Sequence, residues 1–379
     1  MIIRLLLLLG FGLWGTVAFA QMTNEGYPVS WGIKQLSNKI DRHVMPTFDW
    51  QQIQQEDAIN DAAWDRPWRF GYSHNTALNL QNSGTWQQLS NGDRLWRIEL
   101  HSNDALTMNV VFDDYYLPDG ATIYLYNPTT RVHYGAYTSA NNNPERVMGS
   151  TIVDGEDLVI EYFEPANVRG LGALQIAQEV HGYRAIQTYP TQLYLNTSGD
   201  CNHDVACPTG NGWQDQINSV AMLVSNGNGF CTGALINNTS NDGTPYFLGA
   251  NHCGTSNVGA WVVRFNWEST VPRCASTASI QPPTGPRNEV IVAVLRAINS
   301  GSDFSFVELN ATPTGNIYYA GWDRTTTPAT QTTGIHHPDG DLKKICRDNN
   351  PVSINTWNGA SVWEVSDWDV GVTEGGSSG

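Results

Sequence analysis

The chain has 379 residues, with 36 Asp and Glu against 20 Lys and Arg and a formal net charge of −16. Acidity without basic clusters argues against nucleic-acid binding, which needs cations to neutralise phosphates. Only 15% of residues are charged while tryptophan reaches 14 and glycine 36, a balance that fits a turn-rich, largely β protein of two or more domains and not a coiled coil or helical bundle.

Arg4 precedes an apolar run from Leu5 to Val17, and Ala18-Phe19-Ala20 fits a small-x-small cleavage site. The run is short for a membrane span, so residues 1–20 read as a secretory signal peptide. No later stretch approaches 18 apolar residues, so no membrane role is expected of the mature chain. Export implies an oxidising compartment in which cysteines pair.

A short helix is expected near Ile33 to Ile40. Period-two alternation then marks strands: Trp96, Ile98 and Leu100 fall on one face, with Arg97 and Glu99 on the other. Residues 108–112, 122–126 and 157–162 repeat the pattern. Asn91-Gly92, Pro118-Asp119-Gly120 and Asp154-Gly155 supply the turns. Short strands at close spacing predict an antiparallel sandwich over 21–163. Trp64, Trp68, Trp86 and Trp96 suit core and strand-edge packing more often than a glycan-stacking platform. Residues 164–200, with one apolar patch around Leu171 to Ile176, read as a linker with a processing region.

All six cysteines, Cys201, Cys207, Cys231, Cys253, Cys274 and Cys346, lie in 201–379. With no C-x-x-C pair, disulfides are expected and a zinc site is not. Three stretches there carry chemistry. An apolar strand, Tyr246 to Ala250, delivers Asn251-His252-Cys253-Gly254. Ser302-Asp303-Phe304 puts a carboxylate at the mouth of another strand. A glycine-rich loop ends in Gly375-Gly376-Ser377-Ser378-Gly379. A serine hydroxyl needs a base to take its proton, imidazole can do so and later protonate the leaving amine, and a carboxylate fixes the imidazole tautomer. His, Asp and Ser in that order therefore point to acyl transfer. Asp339-Gly340-Asp341 reads as a turn before it reads as a calcium loop, and His336-His337-Pro338 as a packed strand end before a metal site. No metal and no cofactor is expected.

Residues 201–379 resemble the secreted bacterial lysyl endopeptidase family, a branch of the chymotrypsin-like serine proteases. The resemblance runs through Cys201-Asn202-His203-Asp204-Val205-Ala206-Cys207-Pro208, Cys231-Thr232-Gly233-Ala234-Leu235-Ile236 and Phe247-Leu248-Gly249-Ala250-Asn251-His252-Cys253-Gly254. It continues in Ser302-Asp303-Phe304-Ser305, Ala320-Gly321-Trp322-Asp323-Arg324, Ile335-His336-His337-Pro338 and Gly371-Val372-Thr373-Glu374.

It implies two six-stranded β-barrels with the active site between them, preceded by a propeptide; with the alternation above, the expected chain is all-β, an N-terminal β-sandwich-like propeptide followed by a chymotrypsin-like double β-barrel. It also implies a secreted, extracellular serine endopeptidase made in pre-pro form, acting on protein or peptide substrates with a basic P1 residue (Lys or Arg) and partnered by its own propeptide. His252 becomes the general base, Asp303 its orienting carboxylate and Ser378 the nucleophile, with Gly376 and Ser378 lending the oxyanion-hole N–H groups. Ser377 replaces the aspartate that usually pairs with a new N-terminal amine, so activation is expected to work differently. The resemblance further implies disulfides Cys231–Cys253 and Cys207–Cys274, a later partner for Cys201, an open partner for Cys346, and Trp357, with Trp363 as second choice, near His252.

On this reading the second barrel is incomplete, because the sequence stops one residue past Ser378, and this chain by itself is expected to be inactive. Lysine occurs only at 34, 39, 343 and 344, so self-processing in 164–200 would use Arg169 or Arg184, or another protease would act. The alternative is a non-catalytic surface or glycan-binding protein that keeps a protease-like fold.

Overall fold

The computed structural model describes residues 26–63, 66–184, 198–276, 287–357 and 359–379. The expected signal peptide, and residues 185–197 of the expected linker with its processing region, lie outside them.

The N-terminal unit is a two-sheet sandwich. One sheet orders Asp41–Val44, Arg94–His101, Asp157–Glu164, Thr122–Tyr126 and His133–Tyr137, with Thr85–Gln88 beside the second strand. The other orders Val153–Asp154, Thr107–Tyr116, Ala173–Gly182 and Gly71–Asn79, with Met148–Gly149 alongside. The alternation read at 95–100 is realised: Trp96, Ile98 and Leu100 are fully buried between the sheets with Phe112, Ile123 and Ile160. Trp68 and Trp86 pack on the edge of that core, so the packing reading of the tryptophans holds for these three; Trp64 lies outside the described residues.

Two expectations are corrected. Residues 33–40 form no helix; a 3-10 turn at Val29–Gly32 precedes them, and the helix lies at Trp50–Asp61. Asp49 caps it by accepting the Gln52 N–H at 3.1 Å, as an N-cap aspartate does. Only Ile53 and Asp57 are buried along it, so it carries no apolar stripe to read. Residues 173–182, expected within a linker, are instead a central strand paired on both sides. Register shifts around Ile176 and Gln178 break its period and hid it.

The second half contains a closed six-stranded barrel. Val220–Ser225, Gly229–Ile236, Tyr246–Ala250, Phe304–Leu309, Asn288–Asn299 and Val262–Phe265 follow one another round the ring, and the last pairs with the first. In chain order that is 1-2-3-6-5-4, a Greek-key closure. Beside it stand a three-stranded sheet, His203–Asp204, Lys344–Asp348 and Thr332–His336, and the hairpin Ser353–Trp357 with Ala360–Glu364.

Alternation explains how the two units meet. Ala221, Leu223, Val263, Phe265, Val290 and Val292 point into the barrel, while Met222, Val224, Val262 and Ile291 point out into a core shared with the sandwich. Both faces of these strands are thus buried, which produces continuous apolar runs such as Val220 to Val224. Polar bonds fix the seam: Asn109 Nδ2 donates to Gly227 O at 2.8 Å, and Arg287 Nη1 to Thr151 Oγ1 at 2.8 Å.

One buried carboxylate in the sandwich makes stability pH-dependent. Glu179 is 1% exposed, its oxygens lack hydrogen-bond partners among the described residues, and His43 Nε2 is 3.4 Å away. Burial pushes its pKa from 4.5 up to about 7. The folded state therefore holds this proton more tightly than the unfolded chain does, and stability falls as pH rises across that window. Glu179→Gln should match the parent below pH ~4.5 and exceed it above pH ~7, by up to about 3 kcal/mol. Denaturant melts of both chains across that range check this; parallel pH curves would count against it.

Candidate active site

Strand pairing brings His252 and Asp303 together. Tyr246–Ala250 runs antiparallel to Phe304–Leu309, and their last paired residues are Ala250 and Phe304. One step beyond each, the backbone crosses: Asn251 N–H donates to Asp303 O at 3.2 Å. The chain then turns through Asn251–Cys253, which aims the imidazole at the carboxylate. Asp303 Oδ1 accepts the His252 backbone N–H at 2.9 Å and Oδ2 meets Nδ1 at 2.6 Å. Asp303 has φ 52°, a left-handed conformation that aspartate tolerates better than most residues. With Nδ1 tied to the carboxylate, the other ring nitrogen carries the lone pair. That atom, Nε2, is buried and unpartnered among the described residues.

The serine loop reaches the same place through the barrel strand Gly229–Ile236. Thr232 N–H donates to Ser378 O at 2.7 Å and Thr232 Oγ1 donates to Gly376 O at 3.0 Å. Cys231, next to Thr232, is joined to Cys253, next to His252; the Cys253 sulfur lies 3.9 Å from Ser378 O. The expected disulfides Cys231–Cys253 and Cys207–Cys274 are both formed. Donor atoms of Cys231, His252 and Cys253 fall within 4.8 Å of one another, but the disulfide consumes both sulfurs and leaves no thiolate for a metal. No hydrogen bond joins Ser378 Oγ to His252 Nε2 among the described residues. Gly376, with φ 77°, supplies the left-handed turn ahead of the serines, and the N–H groups of Gly376 and Ser378 donate to no described residue.

Adjacent serines raise the question of which one reacts. Ser377 Oγ accepts the Glu374 N–H at 3.0 Å and shares a bond with His336 Nδ1 at 2.8 Å. His336 is 3% exposed, and burial, reinforced by Lys344, pushes it down to about 3. An imidazole that acidic is a poor base near neutrality. Ser377 and His336 therefore brace the loop, while Ser378 Oγ makes no hydrogen bond to a described residue.

Glu374 completes the brace, accepting from Gly199 N–H at 3.0 Å and from Asn202 Nδ2 at 2.9 Å. In place of an aspartate bound by a terminal amine, internal groups of the chain hold this loop. From sequence Glu374 had no role and His336 only that of a packed strand end, because their partners lie 175 and 41 residues away.

The remaining expected residues fall as follows. Asp339-Gly340-Asp341 is a tight turn, Pro338–Gly340, whose Asp341 accepts from Ser198 Oγ at 2.5 Å. Burial, then Glu374 and Asp61, push Asp339 up to about 7. His337 is fully buried and held well below the usual imidazole range, so the histidine pair packs as a strand end. Trp357 stands exposed at the end of its hairpin strand and makes no ring contact with His252 among the described residues. Cys201 is exposed and Cys346 buried, and neither is bridged; burial pushes the Cys346 thiol up to about 12.

Residues 195–379 match the family model of the lysyl endopeptidase C-terminal domain. That part of the chain belongs to the lysyl endopeptidase family. A lysyl endopeptidase of Pseudomonas aeruginosa is 28% identical over 247 residues, covering 61% of this chain and 52% of that relative. The chain thus spans about half of the relative's length. Among solved structures, human heparin binding protein overlaps 44% of this chain and 74% of its own at 14% identity and a TM-score of 0.30. No helix among the described residues is long and apolar enough to cross a membrane.

The serine assignment has a direct check. Treated with a fluorophosphonate, Ser377→Ala should still be labelled on Ser378, at a melting cost of about 1 kcal/mol for the lost hydrogen bonds. Ser378→Ala should take no label. Peptide mapping that finds the adduct on Ser377 would reverse the assignment.

Proposed function

We propose that the chain is the pre-pro form of a secreted serine endopeptidase, with residues 21–184 as prodomain and 201–379 as catalytic domain. The observation that carries the reading is the His252–Asp303 pair, with Nδ1 anchored and Nε2 free, beside a serine loop fastened to the neighbouring strand.

In the proposed reaction Ser378 Oγ attacks the substrate carbonyl carbon while its proton passes to His252 Nε2. Asp303 stabilises the resulting imidazolium through Nδ1–H and keeps the ring from rotating. The N–H groups of Gly376 and Ser378 take the oxyanion, each such donor being worth roughly 100- to 1000-fold in rate. The C–N bond then breaks, His252 returns the proton to the leaving amine, and water, activated by the same imidazole, releases the acyl-enzyme.

A basic P1 residue is suggested by the family alone. Two facts bear on self-cleavage. Lys343 and Lys344 are completely buried, Lys343 donating to Ile217 O at 2.7 Å and Lys344 meeting Asp204 at 2.5 Å. A lysine-directed enzyme would therefore spare its own folded catalytic domain. Arg169 donates to Gly92 O at 2.5 Å and Arg184 lies 2.8 Å from both Asp57 and Asp61, so neither guanidinium is free to enter a specificity pocket while the sandwich is folded. N-terminal sequencing of exported material should find a cut beyond Arg184; a new terminus after Arg169 would overturn that expectation.

Asp303→Asn tests the mechanism. Loss of the anchored tautomer should lower kcat by about 10⁴, the scale known for this constellation, with a far smaller change in KM. The His252–Asp303 pair and the serine loop are both assembled within these residues. Against the inactivity expected from sequence, this chain is therefore proposed to react by itself. An active D303N chain, or a parent chain that fluorophosphonate does not label, would remove the endopeptidase reading.

A further inference from the structure

The barrel strand that holds Ser378 also holds a piece of the sandwich, on the same edge. Along Gly229–Ile236 and the turn before it, alternate residues turn their main-chain groups to that edge. Asn228 O accepts the Phe70 N–H at 2.9 Å, and Phe230 pairs with Trp68. Thr232 binds Ser378 O, while Ala234 and Ile236 pair with Leu248 and Tyr246. The two-residue strand Trp68–Arg69 is thus the next occupant of the edge after Ser378 itself, two residues or about 7 Å along it.

The side chains are fitted to the place. Phe70 stacks on Phe230 with ring centroids 4.3 Å apart, and Trp68 lies over the same ring at 6.0 Å. A Cβ at Gly229 would stand 2.9 Å from Pro67, and one at Gly375, in the serine loop, 2.9 Å from the Trp68 ring. Arg184 covers Trp68 at 4.8 Å and is itself fastened to Asp57 and Asp61 of the helix. Tyr183 and Arg184 both donate backbone N–H groups to Phe70 O at 3.0 Å.

We infer that the edge at Asn228 to Phe230 is a strand-accepting surface for extended peptide, and that Pro67 to Phe70 occupies it in place of substrate. This rests on the endopeptidase reading and adds the means by which the prodomain holds the site closed. A peptide lying across Ser378 in extended form meets this edge on one side of its scissile bond, where main-chain pairing supplies affinity whatever the sequence. While Trp68–Arg69 is paired there, such a peptide cannot lie down, although a small acylating agent still reaches the serine.

Full-length chains separate these statements: the parent, Trp68→Pro, which loses the ring and the N–H facing Phe230, and Trp68→Phe, which keeps a ring and the N–H. In Trp68→Pro the Phe230 amide should exchange about tenfold faster. A ten-residue unstructured peptide with a central lysine and arginine should be cut at least about tenfold faster than by the parent, the size of a lost interface anchor. Fluorophosphonate labelling of Ser378 should be equal in all three chains, and Trp68→Phe should behave as the parent does. Equal peptide cleavage in all three, despite faster Phe230 exchange in Trp68→Pro, overturns the inference. Should fluorophosphonate label none of them, the endopeptidase reading fails. The inference is then decided by whether the same peptide slows Phe230 exchange in Trp68→Pro but not in the parent; no slowing overturns it. If Trp68→Pro does not fold, as judged by its melt, Trp68→Ala takes its place in every comparison.

Discussion

One strand edge sets the geometry of this chain. The hydrogen-bonding groups of Gly229–Ile236 that face away from Val220–Ser225 are shared among the sandwich strand, Ser378 and Tyr246–Ala250. Buried backbone groups must be paired, so the serine loop is located by the ladder's own demand and not by the serine's side chain. The Cys231–Cys253 bridge transfers that location to the turn bearing His252. His252 and Ser378 are thereby tied through one covalent link and one backbone hydrogen bond, a short path over which little freedom accumulates. The cost is that whatever pairs with the rest of the edge lies beside the serine.

Burial on both faces of the barrel strands has a second consequence. Met222, Val224, Val262 and Ile291 are within 2% of full burial, against the sandwich. Each would forfeit about 1.5–3 kcal/mol if left in water. The sandwich is thus a structural part of the barrel's surface as folded, and a chain emerging without it would expose an apolar face. Holding the edge strand and covering this face are two services of one docking geometry.

What the sequence revealed follows from range. Strands with unbroken period two, such as Arg94–His101, were legible because their alternation is local. The helix Trp50–Asp61 was not, since it buries only Ile53 and Asp57 and its one signal is the Asp49 cap. Ala173–Gly182 was lost to irregular register. At the site, His252 and Ser378 stood out through their cysteine and glycine neighbours, and Asp303 through its place before an apolar strand. Glu374, His336 and Trp68 could not, because each matters through a partner that only the fold brings near. Ser377 shows the difference most plainly: from sequence it is a second serine in a loop, and the bond to an imidazole held near 3 makes it a brace.

Arg184 and Ser198, on either side of residues 185–197, are anchored independently. On the sandwich side Arg184 is clamped by Asp57 and Asp61. On the barrel side Ser198 donates to Asp341, whose carboxylate lies 3.4 Å from Lys344, while Arg273 donates to Ser198 O at 3.2 Å and Glu374 holds Gly199. Charges this deeply buried persist only when paired and hydrogen-bonded, so Ser198 and Gly199 are fixed by what lies after them in the chain. A cut anywhere in 185–197 severs one covalent connection and none of these bonds. It leaves Trp68–Arg69 on its edge and Met222, Val224, Val262 and Ile291 under the sandwich. Scission by itself therefore does not clear the strand beside Ser378; the sandwich must also be unfolded, digested or displaced, and the barrel must then find another cover for its apolar face.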